Sequence, residues 1–163
     1  MAQATLPLLR LNGSNPRTRE ALIAAQSRHV LRQPTTLQKA AIAFLALEGA
    51  GGLVWWFVML LFPAARAPFL ATGAPDSTLL AFLVPDVVLY MGAAFLSAYG
   101  LARRAAWGWP VLLVHTGAAT YAALYELALA LLSGGAWLGA IFMLPSLLVL
   151  PPLVWLLQPE SVK

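Results

Sequence analysis

Cysteine is absent from all 163 residues. That excludes disulfide scaffolds, thiolate metal sites and any quinone or disulfide chemistry that needs a CxxC pair. Charge is scarce as well. Charged residues make up 10% of the chain, against about 25% in soluble domains. The sequence holds no metal-ligand set, no phosphate-cradling loop and no nucleophile elbow, so neither a cofactor nor a metal is expected. It also lacks any pattern of nucleic-acid recognition, although its pI is near 10.0. In a chain this apolar, excess base reports topology rather than nucleic-acid binding. Met1–Leu11 is too short for a cleavable signal peptide and lacks a basic leading region.

What remains is apolar. Hydrophobic residues reach 61% and mean hydropathy is +0.79, beyond the roughly 45–50% apolar content of soluble domains. An integral membrane protein is expected. Four runs come close to the ~20 residues that cross a bilayer: 40–62, 79–102, 109–132 and 136–157. Short links make sequential helices antiparallel neighbours. The expected fold is therefore all-α, a four-transmembrane-helix up-down bundle. Residues 1–39 form a basic segment, 40–157 the membrane domain and 158–163 a tail. Within the first segment Asn15 and Pro16 read as N-cap and first helical residue. Residues 16–33 then form a helix ended by Pro34, either an interfacial amphipathic helix or a basic tail.

Basic residues orient the bundle. Six Lys or Arg precede the first span, and Arg103 and Arg104 lie between the second and third. The other two links hold only Arg66. Both termini are thus expected in the cytoplasm. The membrane is the inner or plasma membrane of a bacterium, or the endoplasmic reticulum of a eukaryote. Trp55, Trp56 and Trp137 fall at the outer boundary, and Trp107, Trp109 and Trp155 at the inner one, as aromatic belts would.

The third span, Trp109–Leu132, carries two ionisable groups, His115 and Glu126. Such groups cost roughly 2.5–3.5 kcal/mol each against lipid, so they face the bundle interior. Eleven residues apart, they share one face. Ala118, Ala119, Ala122 and Ala123 lie between them and permit close approach. A rise of about 1.5 Å per residue sets the depths. Asp86 and Glu126 come out level, about 10 and 9 Å from the outer boundary. Tyr90 and Tyr125 lie beside them. Two close acids in low dielectric are not both charged, so this pair is expected to share a proton. Glu48 and His115 form a second level, about 12 and 9 Å from the inner boundary. They are expected to pair, with Ser97 reaching that level. The proton donors or acceptors are therefore Asp86, Glu126 and His115. The ligand-binding set is Glu48, Asp86, Tyr90, His115, Tyr121, Tyr125 and Glu126. The competing reading of each is a satisfied polar network that fixes helix register. Pro85, Pro145, Pro151 and Pro152 interrupt the second and fourth spans. Their kinks either open a cavity or are ordinary membrane prolines. Gly49, Gly51 and Gly52 indicate close helix contact in the first span.

Three features resemble the EXPERA domain, the four-helix membrane module of emopamil-binding protein and its relatives. The second span has an early acid, Asp86, and Tyr99 near its far end. The third begins with a Trp–Pro stretch running into Val114, His115 and Thr116. The fourth carries Leu144-Pro145-Ser146-Leu147-Leu148-Val149-Leu150-Pro151. The resemblance covers about residues 80–157. It implies binding of a sterol-like or cationic amphiphilic ligand, with sterol double-bond isomerisation by proton transfer in some relatives. Asp86 stands where the family usually has Glu. Glu48 departs from the family in lying in the inner half of its span, so ligand binding is implied more directly than catalysis. Three functions compete. The first is a lipid- or sterol-binding bundle whose partner is a membrane lipid or a hydrophobic or cationic amphiphile. The second is an accessory subunit of a larger homo- or hetero-oligomeric membrane complex. The third is a proton-coupled small transporter.

Overall fold

The computed structural model describes residues 35–159. The expected helix at 16–33, the basic segment before it and the last residues of the tail lie outside the described residues. Among the described residues the chain is helical, without strands. Three of its helices are long and apolar enough to cross a membrane, which marks an integral membrane protein.

The first long helix, α1, runs Thr36–Leu61. A reciprocal cap starts it: the Thr35 hydroxyl accepts from the Gln38 amide at 3.1 Å, and the Gln38 side chain accepts from the Thr35 amide at 3.3 Å. That pairing satisfies two of the amides a helix start leaves free. Pro63 follows the last turn and lacks the amide that would continue it. The link then forms a short 3-10 helix, Pro63–Phe69.

Arg66 lies buried in that link. Its Nε donates to the Met59 carbonyl at 2.7 Å, and its Nη1 meets Asp76 at 2.7 Å. It thereby satisfies a carbonyl at the end of α1 and ties it to the start of the next helix. Arg66→Ala should cost about 1–3 kcal/mol, the usual loss when a buried partner is left unmade. Arg66→Lys should recover part of that through Asp76. Thermal unfolding in detergent checks both, and an alanine variant melting with the wild type would show that the clasp carries no stability.

The second helix, α2, runs Asp76–Arg103 in pieces. Short helices Asp76–Leu80 and Leu83–Pro85 lead into a π-helix, Asp86–Gly92, and a regular helix Ala93–Arg103. Pro85 denies its turn an amide donor, and the backbone widens just beyond it. Gly92 sits at the exit of that turn, where a Cβ would come within 2.8 Å of the Val87 carbonyl oxygen. The helix ends on Arg104 in the left-handed region, φ 53°, with the Ala105 amide donating to the Gly100 carbonyl at 2.9 Å.

The third and fourth helices are α3, Gly108–Ser133, and α4, Trp137–Leu156. The 26 residues of α3 rise about 39 Å. His115, Glu126 and its tyrosines make it more polar than the other three.

Contacts between helices give the order. Gly49 meets Phe95, Gly52 meets Met91, and Trp56 meets Asp86, so α1 and α2 are antiparallel. At the next turn α2 and α3 touch backbone to backbone, since a Cβ on Gly100 would lie 2.6 Å from the Gly108 Cα. Trp109 donates to the Val154 carbonyl at 3.1 Å and Gly139 abuts Glu126, so α3 and α4 are antiparallel too. Sequential helices pack extensively, whereas α1 and α4 meet at few points. One end of the bundle is filled by Leu45, Leu101, Leu112 and Leu150 with small residues between them. Trp56, Met59, Phe69, Leu79 and Met91 cluster at the other end.

The aromatic belts need one correction. Trp56 is buried and points inward, while Trp107, Trp137 and Trp155 are exposed.

Candidate functional site

Between the two clusters lies a cavity of about 470 Å³. That falls within the ~300–1,000 Å³ range of small-molecule sites. All four helices and the link line it. The walls are mainly apolar and aromatic, and a few acids and hydroxyls interrupt them. Trp55 packs edge-on against Phe69 at 5.4 Å, Phe69 stacks with Phe142 at 5.9 Å, and Phe82 tilts against Tyr125 at 5.3 Å. Such mutually packed rings hold their shape without a ligand.

The floor is a hydrogen-bonded group. Glu48 Oε2 lies 2.9 Å from His115 Nε2. A carboxylate accepts, so the ring nitrogen facing it carries the proton and donates. Glu48 Oε1 accepts from the Tyr90 hydroxyl at 2.9 Å and from the Ser146 hydroxyl. Tyr90 and Ser146 also lie 2.9 Å apart. Helices α1, α2, α3 and α4 each contribute one member. The expected meeting of Glu48 and His115 is therefore present in the geometry. His115 itself is fully buried behind Glu48 and does not line the cavity. Its place is that of a positioning partner, not a group that touches a ligand.

The opposite pole holds Asp86 and Glu126. Both line the cavity. No hydrogen bond between the two is formed in the structure. Instead Asp86 Oδ2 accepts from the Trp56 indole at 3.0 Å. Glu126 Oε2 is buried and has no hydrogen-bond partner. It lies over Gly139, where a Cβ would come within 2.5 Å of that oxygen. Glycine there makes room for the carboxyl.

The remaining expected residues divide. Tyr125 lines the cavity, but through its ring rather than by donating to Glu126. Tyr90 belongs to the floor and not to Asp86. Tyr121 is 68% exposed and stacks on Tyr125 from outside the cavity, so it leaves the ligand-binding set. Ser97 bonds back to the Ala93 carbonyl at 2.6 Å and does not join the floor.

Trp56, Ser146 and Gly139 complete the site and were not assigned to it from sequence. The eight-residue interval from Glu48 to Trp56, two helical turns and a little more, puts them on neighbouring faces and was a usable signal. Ser146 lies next to Pro145, which draws attention to the kink rather than the hydroxyl. Compared with protein-family models, curated proteins and solved structures, the chain matches none.

Proposed function

We propose that the protein is a four-span membrane bundle that binds a sterol-like or other amphipathic ligand in this cavity, with a hydrogen-bond-donating head at Glu126. The carrying observation is a mainly apolar, aromatic chamber with two acids, Asp86 and Glu126, at one pole, one oxygen of Glu126 having no hydrogen-bond partner. A buried polar atom without a partner costs roughly 1–3 kcal/mol, and a donor on a ligand removes that cost. The resemblance of residues 80–157 to ligand-binding EXPERA domains points the same way. An accessory subunit held together by polar contacts would need the floor network alone, not a chamber above it.

Lipid mass spectrometry on gently purified protein tests the reading. A stoichiometric amphiphile with an amine or hydroxyl head is expected. Only bulk phospholipid, together with no binding of any added amphiphile, would overturn it.

In this reading α3 is the fourth span, and both termini are cytoplasmic. Lys39, Arg103 and Arg104 gather at one end of the bundle. At the other, Arg66 is neutralised by Asp76. The positive-inside rule then places the first end in the cytoplasm. Cysteines placed at Ser14 and Ser161 should label from the cytoplasmic side and one at Ser77 from outside. Labelling of Ser14 and Ser77 from the same side would refute the topology.

A further inference from the structure

The cavity has a side door, and its position defines the kind of amphiphile. Helices α1, α2, α3 and α4 pack in sequence, and among the described residues α1 and α4 approach each other much less closely than sequential helices do. The cavity wall on that side includes Leu47 and Gly51 of α1 and Phe142 and Pro145 of α4, all exposed. Leu47 is 73% and Phe142 58% exposed. In a membrane this seam faces acyl chains. The Ser146–Glu48 hydrogen bond is the stitch across it, and it lies at the floor. Above the stitch a Cβ at Gly51 would meet nothing within 4 Å. Gly49 and Gly52 differ, since a Cβ there would strike Phe95 or Met91 at 2.9 and 2.8 Å. Gly51 therefore does not serve helix packing. It leaves a notch in the rim of the cavity.

We infer that the ligand is a single-tailed membrane amphiphile whose head enters sideways between α1 and α4, while its chain stays in the bilayer across the Gly51 notch. This rests on the cavity being an amphiphile site, as proposed above, and adds how the ligand lies in it. Polar groups stand at the floor and at the Glu126 pole, whereas the exposed rim residues Leu47, Gly51, Phe142 and Pro145 are apolar. The floor acceptors are already satisfied by Tyr90, Ser146 and His115, whereas Glu126 and the second oxygen of Asp86 have acceptor capacity left at the other pole. A head with a donor is thus drawn to one pole, and the exposed apolar rim between α1 and α4 leads to lipid. A tail spanning one leaflet, about 15 Å or half of the hydrocarbon core, then needs no enclosure.

The test uses the full chain in phospholipid nanodiscs and two hexadecylamine probes. One carries a photoactivatable diazirine beside the amine, the other at the chain end. The head-proximal probe is expected to label cavity residues such as Trp55 and Tyr125. The chain-end probe is expected to label the lipid-facing surfaces of α1 and α4. Gly51→Phe should reduce head-proximal labelling at least tenfold. Gly117→Phe, at an exposed α3 position that also has open space around it, should leave it unchanged. If both probes label only the cavity interior, the ligand is wholly enclosed. The side-door inference then fails while the binding function stands. Equal labelling in Gly51→Phe and wild type would likewise overturn the inference. If neither probe labels the cavity and purification yields no amphiphile, the proposed function fails with it.

Discussion

His115→Leu is expected to cost about 3–5 kcal/mol of stability, and a second leucine at Glu48 should restore most of it. The His115 side chain is fully buried, and that of Glu48 is 6% exposed. Removing the imidazole leaves Glu48 Oε2 in an apolar interior without a partner. Breaking a buried pair from one side carries a penalty of this size, because the surviving group keeps its desolvation cost. Replacing both members with apolar groups removes the cost together with the contact and is often neutral or better. Tyr90 and Ser146 can still bond to each other at 2.9 Å in the double variant. Denaturation in detergent, followed by circular dichroism, measures both variants. A single variant as stable as the wild type would show that cavity water serves Glu48 and that the pair does not hold the helices together.

That pair was legible because ionisable groups in apolar spans are few, and depth along a helix follows from residue counting. The same counting brought Asp86 and Glu126 into one chamber, but it could not assign their partners. Tyr90 shows why. On a regular helix it sits one turn above Asp86 and on its face. Here Asp86–Gly92 is a π-helix, whose bonds run from i to i+5. Four residues no longer complete a turn, so Tyr90 points elsewhere and reaches Glu48 instead. Pro85 signalled a break in the helix without saying which way the backbone would rotate.

Trp56 was obscured by its residue type. Tryptophan in a membrane chain is first read as an interfacial anchor, and only the fold shows its indole turned in toward Asp86. The helix bounds, by contrast, follow from length and local chemistry. Thr35 with Gln38 and the proline at 63 bracket α1 within four residues of the expected span. Tyr121 and Tyr125 are one turn apart, and sequence alone put both in the cavity. The stacked pair in fact straddles its wall, one ring inside and one out.

Glu126→Gln should weaken a donor-bearing amphiphile by more than tenfold, about 1.4 kcal/mol, with the bundle still folded. Sequence reasoning placed equal weight on Asp86. The hydrogen bonds separate the two. Asp86 already has the Trp56 indole, and an asparagine oxygen at that position can accept the same bond, so Asp86→Asn should lose less. Glu126 Oε2 has no hydrogen-bond partner, and a ligand donor contributes most at a carboxyl that is not already satisfied. Gly139→Ala offers an independent check that retains the carboxylate. Its Cβ would lie 2.5 Å from Oε2, far inside contact distance, so the carboxyl must swing away from its present position. Affinity should therefore change with the carboxyl's position while its charge is kept. Titration of hexadecylamine into nanodisc-embedded protein, followed through the emission of Trp55 and Trp56 at the cavity wall, reads all three variants. Unchanged affinity in both Glu126→Gln and Gly139→Ala would remove the orphan oxygen as the recognition element. Loss in Asp86→Asn alone would transfer that role to the Trp56–Asp86 pair on the facing wall.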